Sequence, residues 1–69
     1  MKRNPVTSAN LASVGYDATS RTLEVELRNG RVYQYSDVPQ EVYEGLVSAD
    51  SVGRYFISRV RDQYRYARA

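Results

Sequence analysis

The chain is expected to fold as a small α+β domain, a three-stranded antiparallel β-meander followed by two α-helices in the order β-β-β-α-α. Three observations predict this. Thr22-Leu23-Glu24-Val25-Glu26-Leu27 alternates apolar and polar residues, the signature of a half-buried strand. Asn29-Gly30 then marks a hairpin turn, and Arg31 to Ser36 returns with β-favouring valine and tyrosine. Around and beyond Pro39 the apolar spacing lengthens to that of a helix, with Val38, Val42, Leu46 and Val47 on one stripe.

Residues 1–5 are read as a flexible arm and residues 6–69 as a single domain, because 69 residues leave room for one small core. The first strand is expected near 6–16, where alternation is weak and Gly15 suggests a kink or bulge. Asp17-Ala18-Thr19-Ser20-Arg21 is turn material, and the second and third strands are expected near 22–28 and 31–36. Two registers are open for that hairpin. A two-residue Asn29-Gly30 turn would pair Leu27 with Val32 and put Tyr33 and Tyr35 on the face of Glu24 and Glu26. A three-residue Arg28-Asn29-Gly30 loop closed by a glycine bulge would set Val25 opposite Tyr33 and Leu23 opposite Tyr35. Burial favours the second register, which gathers Leu23, Val25, Leu27, Tyr33 and Tyr35 on one side.

The first helix is expected near 39–48. Pro39 suits a first helical turn, Asp37 and Gln40 have capping-box spacing, and Glu41 and Glu44 face outward. Ser51 (or Asp50) caps a second helix near 51–63, whose buried face is Val52, Tyr55, Phe56, Val60 and Gln63. If that helix continues, Arg54, Ser58, Arg61, Arg65 and Arg68 fall within roughly 80° of one another and form a basic stripe opposite the apolar one.

Histidine and cysteine are both absent. Ser-His-Asp and Cys-His sites are thereby excluded, as are ordinary His/Cys metal sites and disulfide staples. Glu24 and Glu26 share a strand face and are read as solubilising carboxylates. Ser51-Val52-Gly53 lacks both the first glycine and the base of a nucleophile elbow, so Ser51 is read as a helix cap. The four glycines are isolated, so no phosphate-cradling loop occurs. These absences point away from an enzyme and from any cofactor. No apolar run approaches the ~20 residues that span a bilayer, and no h-region follows the basic residues Lys2 and Arg3. A cytoplasmic location with no membrane partner is expected.

Charge is placed unevenly. Residues 1–53 hold five cations against seven acids, whereas residues 54–69 hold five arginines against Asp62 alone. Such asymmetry fits an anionic partner, with a solvated helix face as the plain alternative. Arg54, Arg61, Arg65 and Arg68 are the candidate phosphate contacts. Tyr64 and Tyr66 are the candidate stacking faces, with Tyr66 the more exposed of the two.

Read together, Gly30-x-x-Tyr33-x-Tyr35-x-x-Val38-Pro39, Tyr43-x-x-Leu46, Ala49-x-Ser51-x-Gly53-x-Tyr55-Phe56 and Tyr64 resemble the KTSC domain. Val6-Thr7-Ser8, Gly15-Tyr16 and Leu23-x-Val25 look like the opening of the same family, so the resemblance runs from about Val6 to Tyr66. The family is found at the C-terminus of some lysyl-tRNA synthetases and as short free-standing proteins of bacteria and their phages. The resemblance implies a small antiparallel sheet followed by two helices, and it carries no catalytic residue over to this chain. Attachment to a synthetase points toward RNA by association. The expectation is therefore a non-catalytic binding module for nucleic acid, RNA favoured, acting through a C-terminal Arg/Tyr helix. The alternative is a protein-interaction or self-association module, with valine and tyrosine on an open sheet edge.

Overall fold

The alternating segments pair as a hairpin, and that hairpin is the centre of a wider sheet. A computed structural model describes residues 1–69. It contains β1 (Asn4–Pro5), β2 (Leu11–Asp17), β3 (Thr22–Leu27), β4 (Val32–Tyr35), α1 (Gln40–Ser48), α2 (Val52–Phe56), a π-helical segment (Ile57–Arg61) and β5 (Tyr66–Arg68). The strands lie side by side in sequence order, all antiparallel. The α+β class and the two helices after the hairpin agree with the expectation. The three-stranded meander is corrected to a five-stranded sheet. Both added strands are short, and each covers an edge that would otherwise carry unpaired backbone groups.

The hairpin adopts the bulged register. Leu23 faces Tyr35, Glu24 faces Gln34, Val25 faces Tyr33 and Glu26 faces Val32. The Leu27 N–H donates to the Arg31 carbonyl at 2.8 Å, and Gly30 closes the loop at φ +90°. A side chain at Gly30 would meet nothing within 4 Å, so the glycine is needed for its backbone conformation and not for space.

In β2 the irregularity falls between Leu11 and Ser13 and not at Gly15. Leu11 and Val14 are three residues apart, so a regular strand would point them to opposite faces. The extra residue, Ala12, brings both into the core. Gly15 serves a different purpose. The Lys2 carbonyl passes so close above it that a Cβ would collide. Residues of the arm thereby lie against β2, with Asn4 opposite Val14 and Pro5 opposite Ser13.

One face of the sheet packs on the helices around Leu11, Val14, Leu23, Val25 and Tyr35, with Val38 from the connection after β4. Leu46, Val52, Phe56 and Val60 answer from the helices. Val47, expected on the stripe of the first helix, is exposed. Asp37 does not cap α1. It takes the left-handed conformation at φ 58°, and the N-cap position falls on Pro39 without a side-chain hydrogen bond. Ser51 does cap α2, its hydroxyl accepting the Arg54 N–H at 3.3 Å. Of the expected buried face of the second helix, Val52, Phe56 and Val60 are buried, Tyr55 is half-buried and Gln63 is exposed.

The helix ends at Arg61, and residues 62–69 are not helical. After Val60 the next positions on the buried face are Gln63 and Tyr64, which offer little aliphatic packing. Tyr66, by contrast, packs on Tyr33 and Tyr35 when the chain runs back along β4. Tertiary packing and the open edge of β4 override the helical continuation. No helix is long and apolar enough to cross a membrane.

Candidate functional site

The helices roof only part of the sheet face that carries Tyr33 and Tyr35. Phe56 meets Tyr35 edge-on, with ring centroids 5.7 Å apart at 83°. Tyr66 stands on β5 on the same face of the sheet, 5.6 Å from Tyr33 in a T-shaped pair and 5.5 Å from Tyr35. Between Tyr66 and the π-helical segment lies a groove of about 290 Å³ lined by Leu27, Tyr33, Tyr35, Phe56 and Arg61, with Asp62 at its rim. Leu27, Phe56 and Arg61 also border a second stretch of about 450 Å³, bounded by Asn10, Arg28, Asn29 and Ile57. A third hollow, at Ser51, Gly53 and Arg54, shares Asn10 and Ile57 with the second.

Gly53, Ile57 and Arg61, one turn apart along the helix, line the third hollow, the second stretch and the first in turn. Ile57 is 41% exposed and Tyr66 57% exposed, both large for apolar side chains of a small domain. Ile57 opens the π-helical segment, a geometry found often at functional sites.

The electrostatics follow from a short list of ion pairs. Only Arg3–Glu24 and Arg61–Asp62 come within salt-bridge distance, the latter at 3.4 Å between two exposed side chains. Arg54, Arg65 and Arg68 have no carboxylate partner. Arg28 is held by backbone carbonyls, its Nε donating to Ser8 O at 3.1 Å and an Nη to Val6 O at 3.5 Å. Those bonds fix the side chain without neutralising it. Burial pushes the Tyr35 hydroxyl up to about 12, helped by the neighbouring Tyr66 and Tyr33 phenols. Tyr35 is therefore a neutral wall of the groove at pH 7.

The sequence-predicted site residues separate into groups. Arg61 and Tyr66 line the same stretch of groove. Arg68 sits opposite Tyr33 on β5, so it shares the sheet face of Tyr66. Arg54 stands at the far end, beside Ile57. Arg65 lies in the turn before β5, exposed, where its carbonyl accepts the Ser36 N–H at 2.9 Å. Tyr64 is half-buried in a separate hollow with Val42, Ser58 and Arg59. The continuous helical stripe is thus corrected: Arg54 and Arg61 are helical, Arg65 and Arg68 are not. Arg59, on the flank of the buried face, rests 6.0 Å above the Tyr55 ring.

Sequence reasoning missed Leu27, Arg28 and Ile57. Arg28 carried one usable signal, its place inside the three-residue hairpin loop immediately after the last core-facing residue of β3. Ile57 carried another, an aliphatic residue off the buried stripe of its helix. No group of acidic residues is placed to hold a metal ion.

The opposite sheet face carries the other polar cluster. Glu24, expected to face solvent, is only 6% exposed. Arg3 folds over it from the arm, Gln34 donates to it at 2.8 Å, and Arg3 also reaches Ser13, which bonds Glu26. The Gln34 hydrogen bond, with the bond and charge of Arg3, holds the Glu24 carboxyl below its ordinary range against the opposing effect of burial.

A small α+β domain with an arginine-rimmed aromatic groove is the class that fold and site define. The KTSC domain model matches residues 7–64, and the chain belongs to the KTSC domain family. A crystal structure of a KTSC domain protein from Yersinia pestis superposes with a TM-score of 0.96 at 34% identity, covering 99% of this chain and 96% of that one. An uncharacterized protein of Stutzerimonas stutzeri is 46% identical over 69 residues, which are 99% of this chain and 97% of that protein. A lysine–tRNA ligase of Nostoc sp. is 39% identical over 51 residues, 74% of this chain but 9% of the ligase.

Proposed function

We propose that this domain is a non-catalytic binding module for nucleic acid, with RNA favoured. One observation carries the reading: Arg54 and Arg68 are exposed with no carboxylate partner, Arg61 meets only the exposed Asp62, and Arg61 lines a groove that ends on the exposed ring of Tyr66. Unneutralised arginine provides phosphate affinity, and an open aromatic face provides contact with bases. The preference for RNA rests on relatives that are lysine–tRNA ligases, which tie such a domain to a tRNA-handling protein.

Titration of the protein against short RNA and DNA at two salt concentrations tests the reading. Binding in the range of about 10⁻⁴–10⁻⁶ M that weakens as salt rises is expected. Changing Arg54, Arg61 and Arg68 together to Gln should flatten the slope of log affinity against log salt by roughly two units, since each phosphate contact on a single strand contributes about 0.7.

The free outer edge of β5 favours a second reading, pairing with another protein or a second copy. Sedimentation that rises with protein concentration, together with no nucleic-acid binding, would select it.

A further inference from the structure

We infer that the groove between Tyr66 and the π-helical segment takes an unstacked base of a single strand, so that the domain binds single-stranded nucleic acid in preference to duplex. The inference rests on the nucleic-acid reading above and adds to it the form of the ligand and the residue that meets the base. Tyr66 is braced from behind by two rings, Tyr33 and Tyr35, yet more than half of its surface faces water. A side chain fixed in this way loses little freedom on stacking, and a ring held open to solvent in a cysteine-free 69-residue domain contributes little to its core. The groove beside it, at about 290 Å³, is at the small end of ligand clefts and suits a flat group better than a folded chain.

Charge selects the occupant. Arg61 forms one wall of that stretch, and Arg28, pinned by the Ser8 and Val6 carbonyls, stands at the next. Asp62 is the one carboxylate at the rim of these two stretches. A ligand that alternates flat apolar groups with anionic links matches cations flanking an apolar floor, and a single-stranded nucleic acid is that ligand. In a duplex the bases are stacked on their neighbours, and no base face is available to Tyr66.

The chain has seven tyrosines and no tryptophan, so its intrinsic fluorescence reports tyrosine alone. Titrating a short oligoadenylate should quench that emission and bind more tightly than a duplex of equal phosphate content. Tyr66→Ala should weaken single-strand binding by roughly 5- to 150-fold, the range of one lost base stack, whereas Tyr66→Phe keeps the stacking face and should stay within a few fold. Because Tyr66 also packs on Tyr33 and Tyr35, a ligand-side control removes the dependence on a variant's folding. An abasic strand with the same phosphates should bind the wild-type protein as weakly as Tyr66→Ala binds the intact one. Equal affinity for single strand, duplex and abasic strand would overturn the base site while leaving the nucleic-acid reading intact. No binding of any of the three would overturn both.

Discussion

A carboxylate buried in a domain this small must be held by its neighbours, and Glu24 is held by Gln34 and by Arg3 from the arm. Its folded pKa lies below the ordinary 4.5, so the unfolded chain takes up the proton first as pH falls. The stability this provides is present above about pH 4.5 and is lost as pH drops through the folded value. Thermal melts from pH 7 downward should show Glu24→Gln less stable than wild type at neutral pH by about 1–3 kcal/mol, with the gap closing in acid. A constant gap across that range would mean that the charge of Glu24 plays no part. Tyr35 works in the opposite sense. Its pKa is raised to about 12 from 10.0, so stability is complete below pH 10 and falls between the two values. Tyr35→Phe, which has no proton to lose, should flatten that alkaline decline.

The elements divide by how much of their stability is local. β3, the bulged turn and β4 were legible because alternation, Asn-Gly and burial all point to one register. The Ser51 cap and α1 were legible for similar reasons. β1 and β5 were not, since two residues of Asn-Pro and three of Tyr-Ala-Arg hold no periodic signal, and each strand exists because a neighbouring edge is there to pair with. The same blindness split the candidate site. Arg61 and Tyr66 were identified separately, on a helix imagined to join them, whereas the sheet brings them together. Glu24 was misread because the covering residue, Arg3, sits 21 positions away in an arm with no alternating pattern. The strand assignment has a direct check. Truncation after Gln63 should leave the far-UV helical signal unchanged and lower the melting temperature. It should also promote association through the bared edge of β4. A loss of helical signal on truncation would restore the long helix.

At the scale of the molecule, the decisive quantity is where charge sits. The formal net charge is only +2, too small to draw nucleic acid by itself. The molecule measures 28 × 22 × 22 Å, and the helical stretch from Val52 to Arg61 is about 15 Å long, more than half the length of the longest dimension. Arg54 and Arg61 stand near the two ends of that stretch, and Arg68 lies on β5 on the sheet face of Tyr66. Screening at physiological salt limits each exposed charge to about 8 Å, so distant cations cannot replace local ones. Two variants with identical net charge separate the explanations. Arg54, Arg61 and Arg68 changed to Gln removes three cations on the side of the molecule that carries the groove and leaves Arg28 in place. Lys2, Arg21 and Arg59 changed to Gln removes three exposed charges elsewhere. The first should flatten the salt dependence of binding by roughly two units and the second by well under one. Both should melt close to wild type, because exposed charges of this kind contribute about 0–1 kcal/mol each. Equal losses in the two variants would assign binding to the overall field, and the groove would then lose its claim.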